Sequence, residues 1–414
     1  MLVLVAAALA RRVTSEPTPP LLVRRTLAAY VRVPGSAPAL AWPREGQAAV
    51  EVEGVGSFGA VGGSRPLPIA SVAKVMTAYL TLREHPLAAG AQGFTITITP
   101  AEVVEQGERV ALGESTLPVR VGERLSERQA LQALLLPSAN NVAALLAVHD
   151  AGSVGAFVAR MNATARSLGM SATTYTDPSG FDTTTVSTAA DQLKLARVAM
   201  RVPAFAQIVA EPATVLPVAG RVVNFNALVG SAGYVGVKTG SDSAAGGCLV
   251  FAKRTAVGGR RVTVLGVVLG QRAGALVEAA LASAQRLGDS AAAALRVETV
   301  LPAGTSVLRA SNVDGRRTTG ATASALREIG WPGLELPVQV SLRPAVERLH
   351  AGERMASVRV EGTSPAAGAG TAAGTGTTAG AGTTAAGAGG ATTAALATRA
   401  LGGPSLGWRM EHLL

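Results

Sequence analysis

The 414-residue chain is poor in cysteine, histidine and aromatic residues, and each shortage excludes a class of function. Cys248 is the only cysteine, which excludes disulfides within the chain and metal sites built from several thiolates. The four histidines form no His-Glu-x-x-His pair, so we expect neither a zinc hydrolase nor any other metal site. Cys248 itself follows two glycines on a predicted strand and is expected to be a small buried residue.

The chain carries a formal net charge of +10, but its basic residues are scattered and aromatic residues make up only 3%. Without a basic block or a stacking surface, we expect no nucleic-acid partner. A diffuse positive surface suits peripheral association with a polyanionic cell wall or a membrane surface. Met1 to Ala10 is apolar, ends in a small-x-small pattern and is too short to span a bilayer, so we interpret it as the remnant of a secretion signal, with a frayed apolar terminus as the equally good alternative. The protein is therefore predicted to be extracytoplasmic, and no membrane anchor is evident.

The order of predicted elements divides the chain into five parts. Residues 1–44 are rich in Pro, Arg and Ala and are predicted to form a leader and linker. Strands, helices, further strands and a final helix over residues 45–288 predict a mixed α/β (α+β) domain and not a βαβ repeat. Short alternating strands over residues 296–361 predict a small all-β domain. Residues 362–395 are mainly Ala, Gly and Thr and are expected to form a disordered loop, and residues 396–414 form a C-terminal segment.

Local patterns place the first strands of the mixed domain. Alternation predicts a strand over Gln47 to Glu53, and glycines predict turns over Gly54 to Gly63. Phe94 to Ile98 and Leu117 to Val121 are further strand candidates. Three strands joined by turns are predicted within residues 234–269, near the end of the domain.

Ser71-Val-Ala-Lys74 is the strongest local signal for chemistry. Apolar residues at helical spacing follow two prolines, so Ser71 is predicted to open a helix with Lys74 one turn later on the same face. A helix N-terminus stabilises a developing oxyanion, and a partly neutral amine one turn away can accept the hydroxyl proton. Ser-x-x-Lys is the Ser/Lys form of an activated nucleophile. Taken alone, the motif fits an ordinary amphipathic helix better.

Two further motifs carry side chains suited to peptide chemistry. Ser138-Ala-Asn140 follows a proline between two predicted helices, where a hydroxyl can relay a proton and an amide can hold a carbonyl. Lys238-Thr-Gly240 ends a predicted strand, where lysine and threonine can bind a carboxylate and glycine admits close approach of a substrate. Each motif alone is compatible with an ordinary turn or a solvated strand edge.

The three motifs together are far more specific than any one of them. They follow in the order Ser-x-x-Lys, Ser-x-Asn, Lys-Thr-Gly, with 67 and 100 residues between their first members. Each falls in its expected context, at a helix start, a helix–helix turn and a strand end. The chain has only four lysines, and two of them, Lys74 and Lys238, stand where this scheme needs an amine.

On these motifs the chain resembles the penicillin-recognising serine enzymes, and among them the low-molecular-weight, actinobacterial-type D-alanyl-D-alanine carboxypeptidases. The resemblance covers most of residues 40–361. It implies a transpeptidase/β-lactamase-like domain, in which a five-stranded antiparallel sheet is flanked by helices and a helical lobe, followed by a small β-sandwich. It also suggests that Pro404 to Met410 folds back as the last strand of the β-domain. The matching segments are Pro68-Ile-Ala-Ser-Val-Ala-Lys-Val-Met-Thr-Ala-Tyr79, Leu136-Pro-Ser-Ala-Asn-Asn141, Asp177-Pro-Ser-Gly-Phe181, Gly236-Val-Lys-Thr-Gly-Ser241 and Ala244-Ala-Gly-Gly-Cys248.

The resemblance implies a serine D-Ala-D-Ala carboxypeptidase that acts on peptidoglycan stem peptides, needs no cofactor and is inhibited covalently by β-lactams. Ser71 would attack the carbonyl of the penultimate D-alanine, and Lys74 would take its proton. Ser138 and Lys238 would relay a proton to the departing D-alanine, while Asn140 orients the peptide.

The remaining members of the third motif are expected to bind the substrate. Lys238 and Thr239 would hold the terminal carboxylate, and Gly240 would let the substrate backbone approach. The backbone N–H groups of Ser71 and Ser241 would form the oxyanion hole, a type of group that contributes several kcal/mol to catalysis.

Three alternatives share the same motifs: a β-lactamase, a DD-endopeptidase and a cell-wall binding module with little turnover. Class A β-lactamases carry a glutamate between the second and third motifs that activates the deacylating water. Here Glu211 is the only glutamate between Asn140 and Lys238, and it lies well past the stretch where such a loop should fall. The carboxypeptidase is therefore the preferred interpretation.

Overall fold

The protein is described by a computed structural model that covers residues 18–344, 346–362 and 390–413. The predicted signal remnant, Met1 to Ala10, and most of the Ala/Gly/Thr stretch lie outside the described residues. The strands are β1 Leu22–Arg25, β2 Tyr30–Arg32, β3 Gln47–Val52, β4 Gly56–Val61, β5 Leu67–Pro68, β6 Thr95–Thr97, β7 Arg124–Ser126, β8 Val186–Ser187, β9 Ala213–Leu216, β10 Gly220–Val223, β11 Tyr234–Asp242, β12 Gly246–Val257, β13 Arg260–Gln271, β14 Arg296–Leu301, β15 Ser306–Ser311, β16 Arg317–Thr322, β17 Leu326–Gly330, β18 Glu335–Leu342, β19 Arg354–Val360 and β20 Ala391–Ala397. The helices are α1 Lys74–Glu84, α2 Pro100–Ala111, α3 Glu127–Leu135, α4 Asn140–Ala151, α5 Val154–Ser167, α6 Ala189–Ala199, α7 Pro203–Ile208, α8 Leu276–Ala293 and α9 Leu406–Leu413, with a 3₁₀ turn at Ala70–Ala73 before α1.

A five-stranded antiparallel sheet organises the first domain and confirms the predicted fold class. Its strand order is β11-β12-β13-β3-β4. Helix α8 packs on β12 and β13, and α6 packs on β13 and β3. The middle of β12 is buried on both faces, as expected for a sheet covered by helices on either side.

A helical lobe beside the sheet carries the first two motifs. Helix α1 is buried along most of its length and packs against α3, α4, α6 and α7. The first two turns of α4 are buried all round, which is the pattern of a helix inside a core. No single helix among the described residues is long and apolar enough to cross a bilayer, although α4 and α5, bent by 85° at their break, pass that test as a pair.

The predicted turns and strands of the first domain need three corrections. Residues Gly56–Val61, predicted as turns, form β4 at the edge of the central sheet. Leu117 to Val121 is not a strand, and Arg124–Ser126 pairs with Thr95–Thr97 instead. Helix α2 was not predicted at all. None of its residues is fully buried, but its sequence is amphipathic, Val103 packs against the core, and Thr99 and Glu102 form a capping box at its start, so local signals for this helix are present in the sequence.

The β-domain takes strands from three separate parts of the chain. Its seven-stranded sheet has the order β1-β15-β16-β20-β19-β18-β2, beside the two-stranded pair β14-β17. Residues 22–25 and 30–32, predicted as leader and linker, are therefore strands at the two edges of this sheet. These segments are only four and three residues long, too short for their own pattern to reveal them, and tertiary pairing supplies their hydrogen bonds.

The chain returns to the β-domain after the Ala/Gly/Thr stretch, but through a different segment from the one predicted. Ala391–Ala397, of which residues 391–395 are predicted as disordered loop and residues 396–397 as C-terminal segment, forms β20 between β19 and β16. Pro404 to Met410 is not a strand, because Leu406–Leu413 is helical. The small side chains of Ala395 and Ala397 are buried, so a strand of low hydrophobicity still fits this core.

The position of β20 predicts that the sheet needs the segment after the stretch and not the stretch itself. A chain ending at Gly362 would lose a central strand, and we expect its β-domain to melt more than about 10 °C lower, because a single kcal/mol already shifts the melting temperature of a domain this small by about 4–8 °C. Replacing residues 364–389 with a short Gly/Ser loop is the matched control, since Val360 and Ala391 are paired neighbours. Calorimetry would contradict this assignment if the two variants melted alike.

Candidate active site

Ser71 lies in the 3₁₀ turn Ala70–Ala73, directly before α1. Ala70 has a φ of 45°, an unfavourable value for a residue with a side chain, so the backbone is strained just before the serine. This turn brings Ser71 and Lys74 to the same side, and Oγ of Ser71 lies 2.8 Å from Nζ of Lys74. The pair predicted from the sequence is thus in hydrogen-bond contact, although Ser71 precedes the α-helix and does not open it.

Lys74 is fully buried at the start of α1. Its Nζ donates a hydrogen bond to the carbonyl oxygen of Ser179 at 2.9 Å. Burial lowers the pKa of Lys74 well below the usual range of a lysine, and the neighbouring Lys238 lowers it further. The negative charges of Asp177 and Glu114 oppose both effects. The amine is therefore suited to exist in the neutral form that can accept the proton of Ser71.

The turn that receives Lys74 is built around the carboxylate of Asp177. Oδ2 of Asp177 accepts hydrogen bonds from the hydroxyl and N–H of Ser179 and from the N–H of Phe181, and Oδ1 accepts one from the Thr185 hydroxyl. The carboxylate thereby fixes the turn and the carbonyl that faces Lys74. The sequence marked this segment only through its resemblance and gave no role to Ser179.

Gly180 lets the same turn lie against the strained residue before the nucleophile. It has a φ of +77°, and a Cβ there would lie 1.8 Å from the carbonyl oxygen of Ala70. Thr77 on α1 donates a hydrogen bond to the carbonyl oxygen of Pro178 at 2.6 Å, which ties the turn to the helix. The Asp-Pro-Ser-Gly run therefore acts as a structural clamp on the Ser71 turn.

The second motif places two unpaired polar atoms at the start of α4. Ser138 is buried with a φ of 67°, and Asn140 is the first residue of the helix. Oγ of Ser138 and Oδ1 of Asn140 are buried and have no hydrogen-bond partner among the described residues. Buried polar atoms normally have partners, so these two are available to a substrate that enters the site.

Glu114 and Arg109 hold Asn140 in place, and the sequence reasoning missed both. Nδ2 of Asn140 donates to Oε2 of Glu114 at 2.7 Å, and the same oxygen is 2.9 Å from Arg109. The side chain of Glu114 is only 3% exposed, so its charge needs this partner. These residues lie at the end of α2 and in the turn after it. The capping box at Thr99 could have revealed the helix, but no local signal marks Glu114.

The third motif lies on β11, next to the Ser71 turn. Lys238 is buried, and its Nζ donates to the carbonyl oxygen of Thr239 at 3.0 Å. Burial lowers the pKa of Lys238 to about 7. A Cβ on Gly240 would lie 3.0 Å from the backbone nitrogens of Ser71 and Val72. Glycine therefore lets the strand approach the nucleophile closely.

The structure brings together the side chains of the three motifs, with one difference in exposure. The charges of Lys238, Asp177, Glu114 and Arg109 all act on Lys74, so the ends of α1, α2 and β11 converge on one site. Thr239 is buried beside Lys238, whereas Ser241 is exposed at the end of the strand. Cys248 is buried on β12, and burial raises the pKa of its thiol to about 12, so it is not a reactive thiol.

This arrangement has the parts of a serine nucleophile with a lysine base. A hydroxyl is in contact with a buried amine of low pKa, a second buried amine lies within electrostatic range, and unpaired hydroxyl and amide oxygens line the second motif. These groups suit attack on a carbonyl carbon and proton transfer to a leaving group. No metal ion or cofactor is required for either step.

Comparison with known proteins gives one matching family and several named relatives. Residues 63–273 match the family described as D-alanyl-D-alanine carboxypeptidase. The chain is 37% identical over 204 residues to D-alanyl-D-alanine carboxypeptidase DacB2 of Mycobacterium tuberculosis (48% of this chain, 65% of the relative). It is 36% identical over 142 residues to a D-alanyl-D-alanine endopeptidase of Pseudomonas aeruginosa (34% of this chain, 42% of the relative). These matches span less than two thirds of each relative.

A solved structure supports the same relationship. The crystal structure of the Streptomyces K15 DD-transpeptidase superposes with a TM-score of 0.54 at 27% sequence identity, covering 62% of this chain and 98% of that one.

The burial of Lys238 predicts that this lysine costs stability at neutral pH. In the unfolded chain it binds its proton up to a pH of about 10.4, whereas in the folded protein it does so only up to about 7. Unfolding therefore takes up a proton between these values, and stability rises with pH through this window. Lys238→Met should raise the free energy of unfolding at or below pH 7, by at most roughly 5 kcal/mol, and the gain should vanish above about pH 10.

Urea unfolding at a series of pH values measures this difference. Lys253→Met is the matched control, because Lys253 is paired with Asp289 at 2.9 Å and its removal should not stabilise the protein. A Lys238→Met variant whose stability relative to the unchanged protein is independent of pH would refute the buried-charge argument.

Proposed function

Because the chain belongs to the D-alanyl-D-alanine carboxypeptidase family, we propose that it removes the terminal D-alanine from peptidoglycan stem peptides through an acyl-enzyme on Ser71. The observation that carries the proposal is the 2.8 Å contact between the Ser71 hydroxyl and the fully buried amine of Lys74. Burial and the nearby Lys238 hold that amine at a low pKa, as a base at neutral pH requires.

In the proposed acylation step, neutral Lys74 takes the Ser71 proton as Oγ attacks the carbonyl of the penultimate D-alanine. The carbonyl oxygen becomes an oxyanion that the N–H groups of Ser71 and Ser241 stabilise. The close approach of Gly240 to the Ser71 nitrogen supports this pairing, because it places the end of β11 beside the turn. Thr239 and Lys238 bind the terminal carboxylate of the peptide.

The leaving D-alanine needs a proton on its nitrogen. Ser138 supplies the hydroxyl for this relay, since its Oγ is buried and has no partner among the described residues. The proton comes from the ammonium that Lys74 becomes when it takes the Ser71 proton, and its transfer through Ser138, assisted by Lys238, returns Lys74 to the neutral form. Oδ1 of Asn140 accepts a hydrogen bond from the peptide, while Glu114 holds the other end of the same amide. Water then hydrolyses the ester on Ser71.

The acyl-enzyme proposal predicts that a fluorescent penicillin labels Ser71. Ser71→Ala should abolish both labelling and D-alanine release, since no other hydroxyl lies in contact with Nζ of Lys74 among the described residues. Its melting temperature should stay unchanged. Mass spectrometry of the labelled peptide locates the modified residue. Ser306→Ala, an exposed serine on the β-domain, is the control and should label normally. Labelling that persists in Ser71→Ala would disprove the assignment.

Lys74→Arg should be nearly as damaging as loss of the serine, because a guanidinium stays protonated and cannot act as base. Lys194→Arg is the matched control, since Lys194 is half-exposed and pairs with Asp191. Stopped-flow acylation rates, measured over a range of penicillin concentrations, separate loss of the base from loss of penicillin binding. An acylation rate near normal in Lys74→Arg would remove Lys74 from the base role.

A β-lactamase is the first alternative, and the carboxylates around Lys74 argue against it. Asp177 and Glu114 are the two carboxylates whose charges act on Lys74. Asp177 accepts hydrogen bonds on both oxygens from its own turn, and Glu114 is held by Arg109 and Asn140. Neither is free to activate a water. Glu211, the other candidate from the sequence, is hydrogen-bonded to Gln132 instead.

The penicilloyl ester is therefore predicted to persist. We expect slow turnover of penicillin beside much faster release of D-alanine from a diacetyl-Lys-D-Ala-D-Ala peptide, because the leaving D-alanine diffuses away whereas the opened lactam stays tethered. Both rates are measured on the same preparation. Rapid multiple-turnover hydrolysis of a chromogenic cephalosporin without D-alanine release would reverse the proposal in favour of a β-lactamase.

A DD-endopeptidase is the second alternative, since one of the relatives carries that name. The two activities differ only in the peptide that the cleft admits. A cross-linked muropeptide dimer, assayed beside the monomer, distinguishes them by product mass. We also propose that the protein acts outside the cytoplasm, where this substrate lies, and that its net charge of +10 favours association with the polyanionic envelope.

A further inference from the structure

Three metal-ligating side chains meet at the ends of α1 and α4 that lie away from Ser71 and Asn140. His85 is the residue that ends α1, and His149 and Asp150 lie in the last turn of α4. One ligand atom from each of the three lies within 4.8 Å of the other two. The two histidines come from distant parts of the sequence, so no motif announces the cluster.

The distance between Nε2 of His85 and Oδ1 of Asp150 fits two ligand atoms bound to the same metal ion. Nε2 of His85 lies 3.4 Å from Oδ1 of Asp150. Two donor atoms bound to one zinc ion at about 2.0–2.1 Å with tetrahedral geometry are separated by about 3.4 Å. The imidazole of His149 is close enough to supply a third ligand after a small side-chain rotation, because its residue is exposed.

Within this cluster, the carboxylate of Asp150 has one buried oxygen that accepts no hydrogen bond among the described residues. Its side chain is only 2% exposed, and Oδ1 accepts no hydrogen bond in the part of the chain that the structure describes. Its other oxygen, Oδ2, accepts a hydrogen bond from the Thr81 hydroxyl at 2.6 Å, which holds the carboxylate in one orientation. A buried carboxylate oxygen without a donor is costly unless a cation binds it.

The surroundings of the cluster hold both imidazole rings. Phe94 stacks on His149 with ring centroids 4.0 Å apart and meets the edge of His85 at 4.9 Å. The side chain of His85 is 37% exposed, so the site opens to solvent on one side. The charge of Asp150 also acts on Glu127, whose Oε1 is buried without a hydrogen-bond partner among the described residues.

We propose that His85, His149 and Asp150 form a binding site for a divalent transition-metal ion of the zinc type, separate from the Ser71 site. Two imidazoles and one carboxylate form a ligand set suited to Zn²⁺, and solvent completes the coordination. Thr81 acts as the outer-shell partner that orients the carboxylate. Hard cations such as Mg²⁺ and Ca²⁺ prefer all-oxygen sites and bind more weakly here.

An ion at this position would join the two helices that carry catalytic residues. Lys74 begins α1 and His85 ends it, while Asn140 begins α4 and Asp150 lies in its last turn. The two helices are about 16 and 18 Å long, so the ion would lie far from the reacting atoms and would act on the stability of the helix pair. Its effect should therefore be on thermal stability, with little effect on acylation of Ser71.

The test uses the full chain without a histidine tag, stripped with a chelator. Isothermal titration should show one equivalent of Zn²⁺ bound, and the melting temperature should rise with Zn²⁺ and fall back when the chelator is added. Co²⁺ in place of Zn²⁺ should give the visible absorption of a four- or five-coordinate site. Mg²⁺ and Ca²⁺ should give no shift at the same concentration.

Variants assign the ligands. His149→Gln and His85→Gln should each weaken Zn²⁺ binding by roughly 100-fold or more, because loss of even an outer-shell partner costs roughly 10–100-fold. Thr81→Val removes only the outer-shell partner of Asp150 and should weaken Zn²⁺ binding by roughly 10–100-fold. His350→Gln, an exposed histidine on the β-domain, is the matched control and should bind Zn²⁺ normally.

Two results would overturn the proposal. One is the absence of one-equivalent binding by a chain that still acylates with penicillin, which would leave His85 and Asp150 as an ion pair only. The other is binding that survives in both His149→Gln and His85→Gln, which would place the ion elsewhere. Penicillin acylation is independent of this site, so its failure would count against the proposed function and not against the metal site.

Discussion

The burial of the Lys74 amine is the constraint on which this site depends. Lys74 is fully buried, and its neighbours include a second buried lysine, so the charged form is disfavoured twice. The fold holds it there through the carbonyl oxygen of Ser179 and keeps Ser71 2.8 Å away. Glu114 and Asp177 balance part of this penalty, but both are occupied by their own hydrogen bonds. The result is a buried amine in contact with a serine hydroxyl, and the two carboxylates that act on it, among the described residues, are both held by other partners.

The strain of the site is concentrated in the backbone around the nucleophile. Ala70 and Ser138 are two of the three non-glycine residues with positive φ in the described part of the chain. Each such residue costs about 1–2 kcal/mol, which the surrounding packing must offset. Gly180 and Gly240 make that packing possible, because a Cβ at either would meet the backbone of the Ser71 turn. The geometry of the Ser71 turn thus depends on two close backbone approaches that side chains would block.

The β-domain is tied to the catalytic domain by specific contacts. Phe58 of β4 stacks on Trp331 with ring centroids 3.7 Å apart, and Arg260 of β13 pairs with Glu328 of β17 at 3.0 Å. The edge strands β1 and β2 precede the catalytic domain in the chain and pair with strands that follow it. The catalytic domain is therefore inserted between segments of the β-domain, which explains why the leader could not be separated from the fold by composition.

The sequence by itself determined the candidate site of this protein, through the order and spacing of Ser71, Lys74, Ser138, Asn140 and Lys238, and it determined the mixed fold that carries them. Local patterns suffice for these because each motif sits at a helix start, a turn or a strand end, where neighbouring residues dictate the conformation. Only the tertiary structure decided which partners hold these residues. Glu114 and the Ser179 carbonyl act on the site through contacts 26 and 105 residues away in sequence, and no local pattern encodes such distances. The same reason hid the short strands β1 and β2 and the Ala/Thr-rich strand β20, because their conformation depends on pairing with the rest of the sheet.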